Sequence, residues 1–233
     1  GFPEDTDVYD PNPESSPITN QILPLVRSNF SDLTCLDGLK EGDLTRFRGI
    51  AGTYDLFPKR TGLVPYCEAN GWIAWYRGKI KAPKKGRFRF WGYADNNLLV
   101  AINGEPVFEG SRYDSSFRTE LKIPRNNHPS FPCLNARAGF ASGQWFEAGK
   151  KSVKIDLLFG ESRGNKTSSL LLIEHEGTSY EKTYWGQPKW PLFTTEVFSP
   201  NEEEELKKLR THMEAKIMGS FSLPNSELWS VVQ

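Results

Sequence analysis

Three polar residues in a row, Asp95, Asn96 and Asn97, stand just ahead of an apolar run in "GYADNNLLVAINGEPVF", residues 92–108. An acid beside two amides supplies oxygen acceptors and N–H donors, which suits sugar hydroxyls, and Asp95 with Asn96 could ligate a hard cation such as calcium. The same residue types also satisfy their own backbone in turns. Both readings stay open. A second polar cluster, Asn126, Asn127 and His128, lies in "IPRNNHPSFP", where a long loop at one end of a β-sandwich would add to a ligand site. A third candidate is "YEKTYWGQPKWPLF": Tyr184, Trp185 and Trp190 sit among Gly and Pro, and flat rings stack on the C–H face of a pyranose. Those rings could equally clamp the returning chain onto its sheet.

Other chemistries find little support. A nucleophilic hydrolase needs a nucleophile, a base and an orienting acid. The three histidines, His128, His175 and His212, are scattered, and no Ser or Cys sits in a nucleophile elbow. Glu174 and Glu176 in "IEHEG" share one strand face, so they cannot flank a glycosidic bond and read as partners of basic neighbours. Phosphate loops and dinucleotide fingerprints are absent. Cys35, Cys67 and Cys133 lack metal-site spacing and permit at most one internal bridge, from three pairings, or three separate thiols. The chain is therefore expected to be non-catalytic.

Lys plus Arg and Asp plus Glu both number 29 over 233 residues, so no field of one sign attracts nucleic acid or an acidic membrane. No apolar run approaches the roughly 20 residues of a membrane span. The first residues are Gly-Phe-Pro-Glu rather than Met, so a preceding segment such as a removed signal peptide is expected.

These candidates need elements to position them. Residues 1–20 carry five acids, four prolines and no Lys or Arg, and read as an extended disordered linker. Residues 21–44 suggest one or two short helices, with Pro24 in a first turn. From 45 to about 198 the pattern is all-β, with a core over 45–180. "RFRGIAGTYDLF", "GWIAWYRGKIKA", "SSFRTELKI", "AGFASGQWFEA", "KSVKIDLLFG" and "SSLLLIEHEG" have strand composition. In "GRFRF" Phe88 and Phe90 alternate with Arg87 and Arg89, as in a half-buried strand. Asn103-Gly104 predicts a type I′ hairpin. An antiparallel sandwich or barrel follows. Residues 199–233 form a helix and tail packed on it. Ser199, Pro200 and Glu202 make its capping box, and its Glu-then-Lys run is a solvated face aligned with the dipole.

Residues 71–110, "GWIAWYRGKIKAPKKGRFRFWGYADNNLLVAINGEPVFEG", resemble the central motif of the protective-antigen (PA14) domain family. Asp95 and Asn96 fall on that family's acid pair, Val100 and Ile102 on its apolar strand, Asn103 and Gly104 on its turn. The match is close over roughly 40 residues and extends across about 45–180. The resemblance implies a β-sandwich of a secreted, periplasmic or cell-surface bacterial protein, and often glycan binding. In sugar-binding members the acid pair, joined by a cis peptide, holds calcium that sugar hydroxyls complete. Here the second acid is Asn96 and the turn acid is Asn103, so calcium binding should be weaker or lost. The expected function is a glycan-binding module, with docking to an envelope protein as the alternative and a hydrolase as a lesser one.

Overall fold

The computed structural model describes residues 17–54, 56–64, 71–112, 117, 126–127, 140–161, 168–215, 219–224 and 228–232. Period-two patterning fixes the central strand: Phe88 and Phe90 point inward, Arg87 and Arg89 outward. In chain order the strands are β1 (Ala51–Thr53), β2 (Trp72–Lys81), β3 (Gly86–Asp95), β4 (Asn97–Ile102), β5 (Glu105–Glu109) and β6 (Asn126–Asn127). They continue as β7 (Ala141–Ser142), β8 (Phe146–Ala148), β9 (Val153–Glu161), β10 (Ser168–His175) and β11 (Ser230–Val232). One antiparallel sheet has the order β1-β10-β3-β7-β6, with β8 also on β3, and the other runs β11-β2-β9-β4-β5. The result is the all-β sandwich that the strand pattern predicts.

Between the sheets Phe88, Phe90, Leu98, Val100, Phe108, Leu157, Phe159, Leu171 and Phe193 form the main core. Both outer faces are covered as well, which is why β4 is buried at every position rather than alternately. On one side the helix Pro17–Arg27 lays Ile22, Leu25 and Val26 over Leu99, Ala101 and Leu158. On the other, the helix Pro200–Ala215 brings Leu206 and Met213 onto Trp91, Tyr93, Leu170 and Leu172. Among the described residues no helix is long and apolar enough to cross a membrane.

Local chemistry explains the connections. Asn103 (φ 54°) and Gly104 (φ 89°) form the two-residue turn, and the Asn103 side chain accepts the Lys154 N–H at 2.9 Å. At the C-terminal helix, Ser199 N–H and Oγ–H both donate to Glu202 Oε2, at 2.8 and 2.6 Å, and Arg48 grips the same carboxylate. The acids at the end of β10 and just beyond it are paired as anticipated, Glu174 with Arg89 and Glu176 with Arg87. Arg89 also lies between the rings of Trp91 and Trp145, 4.7 and 4.5 Å from their centroids.

Three expectations are corrected. The extended lead does not run to residue 20, because the helix starts at Pro17, drawn in by its buried apolar face. Pro24 lies inside that helix rather than in its first turn, and its carbonyl still accepts the Ser28 N–H at 3.0 Å. Of "RFRGIAGTYDLF" only Ala51–Thr53 is strand; Phe57–Arg60 is a helical turn with Pro58 at its start. "SSFRTELKI" lies almost wholly outside the described residues, as do Cys67 and Cys133, so the pairing of the cysteines does too.

A β-carbon added at Gly92 would stand 1.9 Å from the Leu170 carbonyl oxygen, a backbone atom held in the β3–β10 ladder. Gly92→Ala should therefore destabilise the fold by about 3 kcal/mol, read from denaturant unfolding. The Ser199 hydroxyl and then the Ser199 N–H hold the Glu202 carboxyl below its ordinary value; desolvation opposes them, and Arg48 adds a lesser pull downward. A depressed carboxyl stabilises above the ordinary glutamate range and loses that stabilisation as pH falls through its lowered value. Glu202→Gln should flatten the acid limb of a stability–pH curve.

Candidate functional site

Between β3 and β4 the chain changes sheets in two residues. Asp95 pairs with Ser168 in one sheet and Asn97 with Gly160 in the other. The peptide between Asp95 and Asn96 is cis. The corner is laced by backbone bonds: Asn96 N–H donates to the Gly160 carbonyl at 3.2 Å, Ala94 N–H to Gly110 at 2.8 Å, and Arg112 N–H to Asn96 at 2.7 Å. Ser111, fully buried, accepts the Leu98 N–H on Oγ at 2.9 Å, while its own N–H donates to Glu109 Oε1 at 3.1 Å.

The side chains do not emerge together at an open rim, which corrects the picture drawn from their adjacency. Asn97 is 0% exposed, and its Nδ2 donates to Thr19 Oγ1 at 2.9 Å beneath the N-terminal helix. Asn96 is buried with Nδ2 donating to Asp95 Oδ1 at 3.2 Å. The Asp95 side chain is 12% exposed, and the same Oδ1 accepts from Arg112 Nη1 at 3.1 Å. A calcium ion takes six to eight oxygen ligands. Among the described residues Asp95 Oδ1 faces a guanidinium and an amide N–H₂, a pairing that does not fit that ion.

The aromatic candidates part company. Trp190 is 2% exposed and stacks on Trp91 at 4.0 Å with planes 13° apart, so it belongs to the core under the C-terminal helix and is withdrawn as a ligand residue. Trp185 and its neighbour Tyr184 are 61% and 92% exposed, rings perpendicular at 89° and 5.0 Å. They cap a small hairpin. Thr183 N–H donates to Gln187 O at 2.8 Å, Gly186 N–H to Thr183 O at 2.9 Å, and Gln187 N–H to Thr183 Oγ1 at 3.1 Å. Gly186 takes φ 84°, which the turn needs and side chains resist. Lys189 ties the base to Glu181 and Glu214 at 2.9 and 3.2 Å.

Asn126 and Asn127 form β6, whose backbone pairs with Ser142 and Ala141, and His128 lies outside the described residues. His175 packs on Phe88, and its Nδ1 meets Thr178 Oγ1 at 2.9 Å. Two residues of the corner went unsuspected, Thr19 and Arg112. No local pattern marks either, since Thr19 meets its partner across 78 positions and Arg112 across 17.

No family model matches the chain, and no curated protein matches it. Among solved structures it is similar to a PA14 sugar-binding domain from an RTX adhesin, at 16% identity over 60% of this chain and 71% of that one, TM-score 0.33. It is similar to the PA14 domain of the MpAFP antifreeze protein, at 15% identity over 64% and 75%, TM-score 0.36. A third is the epithelial adhesin 6 A domain (Epa6A) from Candida glabrata in complex with Galβ1-3GlcNAc, at 14% identity over 59% and 60%, TM-score 0.32. Two of the three are PA14 domains. That is the family residues 71–110 resemble; at these TM-scores the likeness adds no argument about what the chain binds.

Removing the Thr19 hydroxyl leaves a buried amide short of an acceptor. Thr19→Val should cost about 1–3 kcal/mol in denaturant unfolding, and Asn97→Ala a similar amount. Combining the two should cost less than their sum, since each removes the same bond.

Proposed function

We propose that this chain is a non-catalytic binding module that meets glycans at the Tyr184–Trp185 tip, acting at a cell surface or after secretion. One observation carries the reading: two large aromatic rings, set at right angles, stand in solvent on a hairpin braced by three hydrogen bonds and two ion pairs. Tyr and Trp pair an apolar body with a polar tip, which makes them the rings that contact surfaces favour. A pyranose offers a C–H face to one ring and an edge to the other. Because the turn is already ordered, little freedom is lost when a sugar docks. The resemblance of residues 71–110 to a family with sugar-binding members agrees with the reading. Asn97 and Trp190, both inside the fold, take no part in it.

A glycan array followed by calorimetry tests this. Trp185→Ala should weaken binding of the best ligand by about tenfold, with Tm unchanged because the ring lies outside the core. A wild-type chain that binds no glycan, or a Tyr184→Ala/Trp185→Ala pair that binds as well as wild type, removes the reading.

A further inference from the structure

The corner between the sheets carries an ionic arrangement of its own, separate from the aromatic tip. Asp95 Oδ1 accepts from Arg112 Nη1 at 3.1 Å and from Asn96 Nδ2 at 3.2 Å, while the Arg112 N–H donates to the Asn96 carbonyl at 2.7 Å. We propose that the Arg112 guanidinium takes the place of a metal ion at this corner, so that the module folds without calcium.

Charge balance supports the assignment. At the residue pair itself, two carboxylates match a divalent ion, whereas Asp95 beside an amide matches a single positive charge; the buried Glu109, which accepts the Ser111 N–H, and the buried Glu161 lie in the adjoining strands. Position 96 is an amide, and the residue that reaches Asp95 is a permanently charged guanidinium. The orientation of Asn96 follows from the same logic. With the amide turned over, its carbonyl oxygen would face the carboxylate oxygen, so the observed N–H₂-to-oxygen contact is the favourable one. A cation at Oδ1 would then meet a guanidinium and the positive end of an amide, not oxygen donors. Arg112 is also held from both ends, by its backbone at Asn96 and by its side chain at Asp95. Lysine would bring the charge without the planar fork.

The exchange can be reversed. The wild-type chain should show the same Tm in EDTA and in millimolar calcium, and no tryptophan-sensitised terbium luminescence. Asn96→Asp/Arg112→Ala restores two acids and vacates the cation's place; it should melt lower than wild type in EDTA and regain Tm on adding calcium. Asn96→Asp/Arg112→Met, which refills the volume with an apolar chain, should gain less. A wild-type Tm that rises with calcium and no longer does so in Asp95→Asn overturns the proposal. So does a folded Asn96→Asp/Arg112→Ala variant with no calcium response. Should that variant not fold, the wild-type melts decide alone. None of these readouts involves glycan, so failure here is distinct from failure at Trp185.

Discussion

A chain that leaves one sheet and joins the facing one within two residues must satisfy every polar group it turns through, and it must do so away from water. Asp95, Asn96 and Asn97 make that crossing, and β9 to β10 makes a second one beside it, as the pairings Asp95–Ser168 and Asn97–Gly160 show. The solution is collective. Segment 110–112 returns along the corner and supplies two backbone N–H groups and a hydroxyl, while the helix at Thr19 closes the remaining amide. Buried polar groups are costly when partnerless and cheap when matched. The three residues that look like a binding motif are therefore first of all the means by which two sheets share one chain.

The covering of both outer faces follows from the same economy of apolar surface. Leu99, Ala101 and Leu158 on one face, and Trp91, Tyr93, Leu170 and Leu172 on the other, would be bare without the flanking helices. Where the C-terminal helix does not reach, the guanidinium groups of Arg87 and Arg89 stand over Trp145 and Trp91, with Glu176 and Glu174 beside them. Among the described residues, these large rings are thus stacked, covered or overlain by cations. Against that background Tyr184 and Trp185 stand out by their exposure.

Much of this was legible where the signal is local. The Phe–Arg alternation of β3, the Asn-Gly turn and the Ser199–Glu202 capping box each depend on neighbours within a few residues, and each appears as read. Composition could not separate Trp185 from Trp190, because their fates are decided by Trp91, about a hundred positions away in the chain. Nor could it reveal that the lead segment already turns helical at Pro17, since that depends on an apolar face of β4 and β9 awaiting a cover. The corner trio misled for the same reason. Adjacent polar residues suggest a shared exposure, yet Asn97 begins a strand that faces a helix while Asp95 ends one that faces an arginine.

The stacking of Trp91 on Trp190, with Trp72 and Trp229 also sealed from water, leaves the seven indoles divided by the polarity of their surroundings. Trp185 is the indole most open to solvent dipoles that relax its excited state. The long-wavelength shoulder of the intrinsic emission thus belongs largely to one hairpin, and collisional quenchers reach it before the rest. The protein thus carries its own optical label at the tip of that hairpin.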